Sequence, residues 1–502
     1  MLPQTDPMTA FTVRPCVAVA AALVLAGCSI PPRPDTPDLR QEAPLAGLAV
    51  PRGGAWPQAE WWQRYRDPQL DALERKALAT APSLEEAHQR FEGAIRSIDV
   101  ARAVGGASTE FNGQVQRQRL SEHGLIPSQF LGFTWYDQGD LSLQFRYDFD
   151  FWGKQRAAVE AAVDAAHAAE AERSAAALLL ASAVADTYFG WQADQARLAL
   201  AGDAAVALER SRGITARRVT RGIEAPDALQ QAAARVAAAR ELEAAYAGSA
   251  PIRLAALAAL LGGAPQDLPT LAAMPLPEAG AALPDDVGID LLARRPDIAA
   301  SRWRVEAAMR RVDQARAEFY PDISLGAMAG LSSIDLDRLL TAGSRVAGIG
   351  PALHLPLFNL GGLRAAYGVS QAQLQAAAAA YDSSVVDAAR DVASQALALQ
   401  QIQARERERA RQLDTARVLQ GTAAARVQRG IVDARDLYAA QAQLLQQRDA
   451  QATLQAQAVS TEIALIKALG GGYHAADTAA VPAAGARSSG RTAPATAVPP
   501  AH

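Results

Sequence analysis

Apolar and polar residues alternate strictly along residues 141–151, LSLQFRYDFDF, which is the clearest periodic pattern in the chain. A period of two predicts a β-strand with one apolar face and one polar face. The apolar face carries six residues: Leu141, Leu143, Phe145, Tyr147, Phe149 and Phe151. Alternation at Phe111, Gly113 and Val115 predicts a partner strand, and shorter alternating stretches occur in 323–331 and 352–358. The pattern therefore predicts about four strands, in two pairs.

Most of the remaining chain has a helical pattern that glycine or proline rarely interrupts. One helix is predicted from Gly153 to about residue 217, and another over 363–427. A helix of about 64 residues is about 95 Å long at 1.5 Å per residue. Each long helix is followed by a second one of about 35 residues, ending near Leu261 and Leu469. Shorter helices are predicted over 67–104, with a break at Ala81-Pro82, and over 288–318.

The same order of elements is present twice. RVTRGI at 218–223 returns as RVQRGI at 426–431, so Gly430 minus Gly222 gives an offset of 208. The offset also relates Gly153 to Gly361. Each copy runs helix, two strands, long helix, tip and helix. We therefore expect repeat 1 at 61–263, a linker at 264–287 and repeat 2 at 288–472.

Each RV-x-RGI stretch lies where a long helix ends and the returning helix begins, so it predicts the tip of a helical hairpin. Gly222 and Gly430 can adopt the left-handed conformation that ends helices. Asp227 and Asp433 are predicted to cap the returning helices. The last turns carry arginines, which suit the negative end of the helix dipole: Arg218, Arg221, Arg426 and Arg429.

The N-terminus predicts a processed and lipidated protein. Residues 1–27 read as a signal peptide, because Arg14 precedes an apolar run too short to span a membrane. The run ends in Leu25-Ala26-Gly27-Cys28, which is similar to a bacterial lipobox, so Cys28 is the predicted lipidation site; the alternative is an ordinary signal peptide with a chance cysteine. Residues 28–60 are then a lipidated, extended segment, and residues 473–502 a disordered tail.

Composition and charge exclude several classes of function. The net charge of −4, from 49 basic and 53 acidic residues, offers no basic surface for nucleic acid. The six histidines are scattered outside any metal-ligand spacing, and no catalytic or nucleotide-binding motif is present, so we expect no enzyme activity, metal or cofactor.

The amphipathic strands leave two interpretations open. The apolar faces could pack on a soluble core, or they could face lipid around a polar lumen. A sheet in a bilayer must close on itself, and four strands are too few to close. If the strands cross a membrane, several copies of the chain must therefore share one barrel.

Several motifs resemble the outer-membrane factor family, in particular the NodT-like lipoprotein subunits of tripartite efflux systems of the resistance–nodulation–division (RND) type. The resemblance is carried by WWQRYRDPQLDALERKAL (61–78), LLARRPDIAASRWRVEAA (291–308), FYPDISL (319–325), RVQRGIVDARDLYAAQAQL (426–444) and KALGGGY (467–473). It implies a mainly α-helical protein with a small membrane β part. In such a family, three chains form a 12-strand β-barrel in the outer membrane on top of a periplasmic α-helical barrel.

The resemblance also implies partners and a role for the tips. The expected function is a passive outer-membrane duct, a homotrimer that receives small molecules from a periplasmic adaptor protein and an inner-membrane RND-type pump. Asp433 and Asp436, with Arg435 between them, match the periplasmic gate of the family. Each aspartate also fits the start of a helix, and the tip arginines fit either adaptor contact or solvated helix ends. A lipid-anchored coiled-coil scaffold without a pore is the alternative function, and it leaves the amphipathic strands unexplained.

Overall fold

The computed structural model describes residues 30–121, 128–280, 282–356 and 359–474. The predicted signal peptide, the lipidation site Cys28 and residues 475–502 of the predicted tail lie outside the described residues. The described helices are α1 Pro68–Thr80, α2 Pro82–Val104, α3 Ser128–Leu131, α4 Lys154–Thr220, α5 Pro226–Leu260, α6 Val287–Arg294, α7 Pro296–Ala317, α8 Leu360–Gln428 and α9 Ala434–Ala468. The strands are β1 Ala107–Arg119, β2 Trp135–Phe149, β3 Asp322–Ser333 and β4 Arg345–His354.

The long helices confirm the fold class. α4 has 67 residues and α8 has 69, and each is followed by a helix of 35 residues. At 1.5 Å per residue, the long helices reach about 100 Å. The molecule is mainly α-helical with one small sheet, and its two halves repeat the order of helix, two strands, long helix and returning helix. Among the described residues, none of the helices has the length and apolar character that crossing a bilayer requires.

α4 is the central helix of the bundle and packs against α2, α5, α7 and α9. α8 packs against α7 and α9, so the four long helices lie in the order α5, α4, α9, α8. Arg197 of α4 joins the two repeats, because its Nε donates to Asp449 of α9 over 2.9 Å and its guanidinium lies 4.2 Å from the Tyr246 ring of α5. The two outer helices, α5 and α8, therefore each have one side that no other of the four long helices covers.

Helix ends follow the local sequence, with two corrections. Asp433 caps α9 as predicted, since its side chain accepts from the backbone N–H of Arg435. The predicted cap at Asp227 is wrong: Pro226 opens α5 and Ala225 occupies the cap position, because proline is favoured at the first helical residue. The helix predicted over 288–318 is two helices, α6 and α7, broken at Arg295 because a residue before proline disfavours helical geometry.

The four strands form one antiparallel sheet in the order β1-β2-β3-β4. β2 ends at Phe149, so placing Phe151 in the strand was wrong. The Asp150 carboxylate accepts from the backbone N–H groups of Gln155 and Arg156, which turns the chain directly into α4. β4 likewise starts and ends earlier than the predicted 352–358, and residues 357–358 are outside the described part of the chain.

The N-terminal segment lies against the second repeat without helix or strand of its own up to residue 51. The Ala43 and Leu45 side chains are buried in the core of that repeat. The backbone N–H of Ala43 donates to the Gly288 carbonyl over 2.9 Å, and the hydroxyl of Tyr381 donates to the Arg40 carbonyl over 3.1 Å. The segment is therefore an ordered part of the fold.

Candidate functional site

The apolar residues of the strands share one uncovered face of the sheet. Residues directly opposite each other in a sheet point to the same side. Phe145 lies opposite Thr109 of β1 and Ala327 of β3, and Ala327 lies opposite Ile349 of β4. The exposed fractions of Leu143, Phe145, Tyr147 and Phe149 are 51%, 37%, 40% and 40%, while Leu141 is half-buried. The connection from β3 to β4 reaches only the Gly139 end of this face, through Leu336 and Leu339, and the rest of the face stays exposed, so the interpretation as a soluble core has no structural support.

The opposite face of the sheet carries polar and charged residues. Gln144, Arg146 and Asp148 alternate with the apolar row on β2 and are exposed. Arg146 donates to the Asp148 carboxylate over 2.9 Å along the same strand. The outer edges of β1 and β4 have no partner strand among the described residues. The sheet therefore has an apolar side, a polar side and two free edges.

The two hairpin tips have the same backbone geometry. Gly222 and Gly430 have φ angles of +70° and +67°, in the left-handed region that favours glycine. The next backbone N–H returns to the helix in both tips, from Ile223 to the Arg218 carbonyl over 2.9 Å and from Ile431 to the Arg426 carbonyl over 3.0 Å. This six-to-one bond satisfies a free carbonyl at the helix end, as in a Schellman motif. The predicted role of the two glycines in the turn is confirmed.

Four charged residues connect the two tips, and we call them the tip ring: Arg218, Glu224, Asp433 and Arg435. Arg435 bonds to the Glu224 carboxylate and, through Nε, to Asp433 over 2.9 Å. Arg218 donates to Glu224 over 3.2 Å, and its other guanidinium nitrogen lies 3.5 Å from Asp433. Each arginine contacts both acids, so the ring is closed and links repeat 1 to repeat 2.

The electrostatics of the tip ring keep Arg435 charged. Burial lowers the pKa of its guanidinium, but the hydrogen bonds to Glu224 and Asp433 outweigh burial and raise the pKa above its ordinary value. Charge-assisted bonds of this kind are about twice as strong as neutral ones. Loss of Arg435 would leave Arg218, at 3.2 Å from Glu224 and 3.5 Å from Asp433, as the one remaining link between the two acids of the ring.

Glu224 is the member of the ring that the sequence analysis missed. It directly follows RGI in the first tip, where the second tip has Val432. The signal was this difference at the first position after the shared RGI, where a carboxylate in one tip matches an apolar residue in the other. A carboxylate that replaces an apolar residue at one copy of a repeat has a role specific to that copy.

The other predicted tip residues lie apart from the ring. Asp436 is exposed in the first turn of α9, and no described residue forms an ion pair with it. Arg221, Arg426 and Arg429 are exposed at the helix ends, with no ion pair to a described residue. The structure thus brings Asp433 and Arg435 together with Arg218, and leaves Asp436 in a separate position. Within the described ranges, no group of three or more histidine, cysteine, aspartate or glutamate residues is placed to hold a metal ion.

Comparisons with known proteins agree with this architecture. The family model "Outer membrane efflux protein" matches residues 73–263 and 289–471. The multidrug resistance outer membrane protein MdtP of Escherichia coli (strain K12) is 32% identical over 470 residues, covering 92% of this chain and 96% of that protein. The crystal structure of the outer membrane protein VceC from Vibrio cholerae has a TM-score of 0.74 and 34% identity, covering 83% of this chain and all of that one. The outer-membrane channel OprN has a TM-score of 0.79 and 26% identity, covering 89% of this chain and 99% of that one.

Proposed function

The chain belongs to the outer membrane efflux protein family, and we propose that three copies of it form a gated duct, in which a tripartite pump passes small molecules from the periplasm to the exterior. The protein is an outer-membrane efflux channel. The names of relatives such as MdtP, a multidrug resistance protein, support drugs as one class of exported compound. The duct itself transfers no chemical group.

The uncovered apolar face of the sheet is the observation that carries the proposal. A four-stranded sheet with two free edges cannot stay in hydrocarbon, since each unpaired backbone group there costs several kcal/mol. Three copies supply twelve strands, an even number in the range of about 8 to 26 that closed membrane barrels use. β1 of one copy would then pair with β4 of the next. The polar face would line the lumen and the apolar face would contact lipid.

The uncovered sides of the outer helices α5 and α8 support the same assembly. α5 and α8 are the outer helices of the set of four, and both expose apolar side chains, including Ile252 on α5 and Leu419 on α8. Pairing α5 of one copy with α8 of the next would cover these side chains. Twelve helices of this kind would enclose a tunnel that extends the duct into the periplasm by about 100 Å at 1.5 Å per residue.

The hairpin tips lie at the end of α4 and α8 that is remote from the sheet, and we assign them the periplasmic gate. In this assignment the tip ring holds the two tips of each chain together in the closed state. The exposed Arg221, Arg426 and Arg429 remain available for a periplasmic adaptor protein, which would connect the duct to an inner-membrane RND-type pump. A lipid group on Cys28 would anchor each copy in the outer membrane.

Single-channel recording tests the proposal. The purified protein in detergent should run as a trimer, and it should produce discrete conductance steps after addition to a planar lipid bilayer. A pore-free scaffold would stay in solution as a coiled-coil assembly and add no conductance. A protein that becomes a soluble monomer when its lipid is removed, and that leaves the bilayer current unchanged, would contradict the proposed duct.

A further inference from the structure

A cleft of about 370 Å³ lies where the strands meet the helices, and three arginines from separate parts of the chain line it. Arg33 comes from the N-terminal segment, Arg156 from the first turn of α4 and Arg316 from the last turn of α7. Three aromatic residues line the same cleft: Phe151, Trp152 and Tyr320. Distant parts of the sequence thus form one small site that combines cations and aromatic rings.

The aromatic residues place the cleft on the apolar side of the sheet. Tyr147 and Phe149 belong to the apolar face of β2, and their ring centroids are 4.9 Å apart. Phe149 in turn stacks on Phe151, with 5.5 Å between the centroids. The row of rings therefore leads from the apolar face directly into the cleft. Beside it, Trp152 and Tyr320 stack with centroids 4.6 Å apart, as aromatic residues do at a membrane–water interface.

The acids of the cleft leave two arginines without an ion pair to a described residue, Arg316 and Arg156, and of these the Arg156 side chain also forms no hydrogen bond to a described residue. Arg33 pairs with Asp313 over 2.7 Å, and the Arg316 Nε donates to the Pro31 carbonyl over 3.0 Å. The other acid of the cleft, Glu160, pairs with Arg310 over 3.2 Å. Arg156 is exposed and forms no ion pair with any residue that the structure describes. Its backbone N–H is occupied by Asp150, so the start of α4 is already capped.

We propose that this cleft binds the headgroup phosphate of an anionic phospholipid, of phosphatidylglycerol chemistry, in the periplasmic leaflet of the outer membrane. The acyl chains lie along the row of Tyr147, Phe149 and Phe151, and Arg156 contacts the phosphate. This inference rests on the proposed membrane duct, because it needs the apolar face to contact lipid. The site holds the junction between sheet and helices at a defined depth in the bilayer.

The N-terminal segment supports this position in the membrane. Arg33 is five residues after Cys28, and five extended residues span at most about 18 Å. A lipid group on Cys28 would therefore enter the same leaflet close to the cleft. The order of apolar face, aromatic rings and arginines also matches the order of acyl chain, interface and phosphate in a lipid leaflet.

Lipid retention measured by native mass spectrometry tests the site, with Arg156→Gln as the variant. Arg364 provides a matched control, because it lies 208 positions later, at the equivalent position of repeat 2, and is also exposed. The full-length protein is incubated in detergent with equal amounts of phosphatidylglycerol and phosphatidylcholine, and retained lipids are counted. We expect the wild type and Arg364→Gln to retain phosphatidylglycerol preferentially. In Arg156→Gln the ratio of retained phosphatidylglycerol to phosphatidylcholine should fall about fivefold, the factor expected for one basic residue near an anionic lipid surface.

Two results would overturn the inference. Equal retention of the two lipids by the wild type would show that the cleft does not select a headgroup with net negative charge. Displacement of phosphatidylglycerol by an equal concentration of inorganic phosphate would show a site for free anions. If the wild type conducts in planar bilayers but retains the two lipids equally, only this lipid site is refuted. If the protein fails to enter bilayers, the proposed duct is refuted as well.

Discussion

The two hairpin tips share their turn and differ in the residues that come directly after it. Both contain RV-x-RGI, and both make the same left-handed glycine and the same six-to-one backbone bond. The first tip continues with Glu224, which reaches across to Arg435, while the second continues with Val432 and Asp433. The repeated letters therefore specify the local turn and supply Arg218 to the tip ring, while the letters that differ supply Glu224, Asp433 and Arg435.

The strongest test of this comparison removes Arg435, which bonds to Glu224 of the first tip and Asp433 of the second. Arg435→Gln should leave Glu224 and Asp433 without their shorter ion pairs, so the closed tips separate more easily. We expect a severalfold rise in conductance in planar bilayers and higher sensitivity of cells to large antibiotics. Arg218→Gln should have a smaller effect in the same recordings, because Arg218 contacts the two acids at 3.2 and 3.5 Å.

Asp436→Asn is the matched control for that variant. Asp436 lies one residue after Arg435, but it is exposed and outside the tip ring. The conductance of Asp436→Asn should equal that of the wild type. An increase for Asp436→Asn as large as that for Arg435→Gln, in correctly assembled trimers, would contradict the tip ring as the gate.

The two repeats also differ where α1 and α6 are buried. Before the strands the offset between the repeats is 214, as Pro82 and Pro296 at the starts of α2 and α7 show, so Glu74 in α1 corresponds to Gly288 in α6. The N-terminal segment covers Gly288, and a side chain there would meet Glu42 at 3.1 Å. Glu74 is fully buried, and neither of its carboxylate oxygens has a hydrogen-bond partner among the described residues. Repeat 1 thus carries a buried acid at a position where repeat 2 has no side chain.

Glu74→Gln should change how stability depends on pH. Burial, with a contribution from Asp71, raises the pKa of Glu74 from 4.5 to about 9. Because the folded state holds the proton more tightly, protonated Glu74 adds to the free energy of unfolding. This stabilisation is complete below about pH 4.5 and is lost as the pH rises to about 9. The loss is at most about 1.4 kcal/mol per pH unit. The unfolding temperature of Glu74→Gln, followed by circular dichroism, should therefore fall less steeply with pH.

Glu85→Gln is the control for this measurement, since Glu85 is an exposed carboxylate at the start of the next helix. It should follow the wild-type curve. A Glu74→Gln protein with the same pH dependence as the wild type would show that Glu74 is ionised in the folded state, which would contradict its burial without a partner.

Alanine at the tip glycines should test whether the two turns are equivalent. In both Gly222→Ala and Gly430→Ala, a new side chain meets no atom within 4 Å, so only the backbone conformation opposes it. The left-handed conformation costs a non-glycine residue about 1–2 kcal/mol. Hydrogen exchange of the Ile223 and Ile431 amides should speed up by equal factors in the two variants. A cost at one tip only would show that the turns are not equivalent.

The smallest expected effect concerns the first turns of the two returning helices, α9 and α5, which are capped differently. Asp433→Ala should destabilise the first turn of α9 by about 1 kcal/mol, because it removes a capping carboxylate. Asp227→Ala should change the start of α5 little, because Pro226 and Ala225 form that end. Asp433→Asn keeps a capping side chain and should preserve the first turn. Hydrogen exchange in the first turn of each helix measures the difference, and equal effects of the two alanine variants would contradict it.

The sequence alone determined the parts of the protein that depend on neighbouring residues. Periodicity placed four strands and the long helices, since the alternation of side chains follows directly from backbone geometry. The glycines of both tips and the cap at Asp433 were likewise local properties. Two predictions were wrong because an adjacent residue had a stronger effect. Asp150 caps the start of α4 and ends β2 before Phe151, and Pro226 opens α5 so that Asp227 does not cap it.

Which distant side chains meet depends on how the helices and the sheet pack in three dimensions. Glu224 and Arg435 are 211 residues apart, and the arginines of the cleft come from three separate segments. The packing of α4 against α9 brings the tips together, and the sheet junction brings the cleft together. No periodic pattern reports such contacts, because they depend on how whole helices pack and not on the order of residues within them.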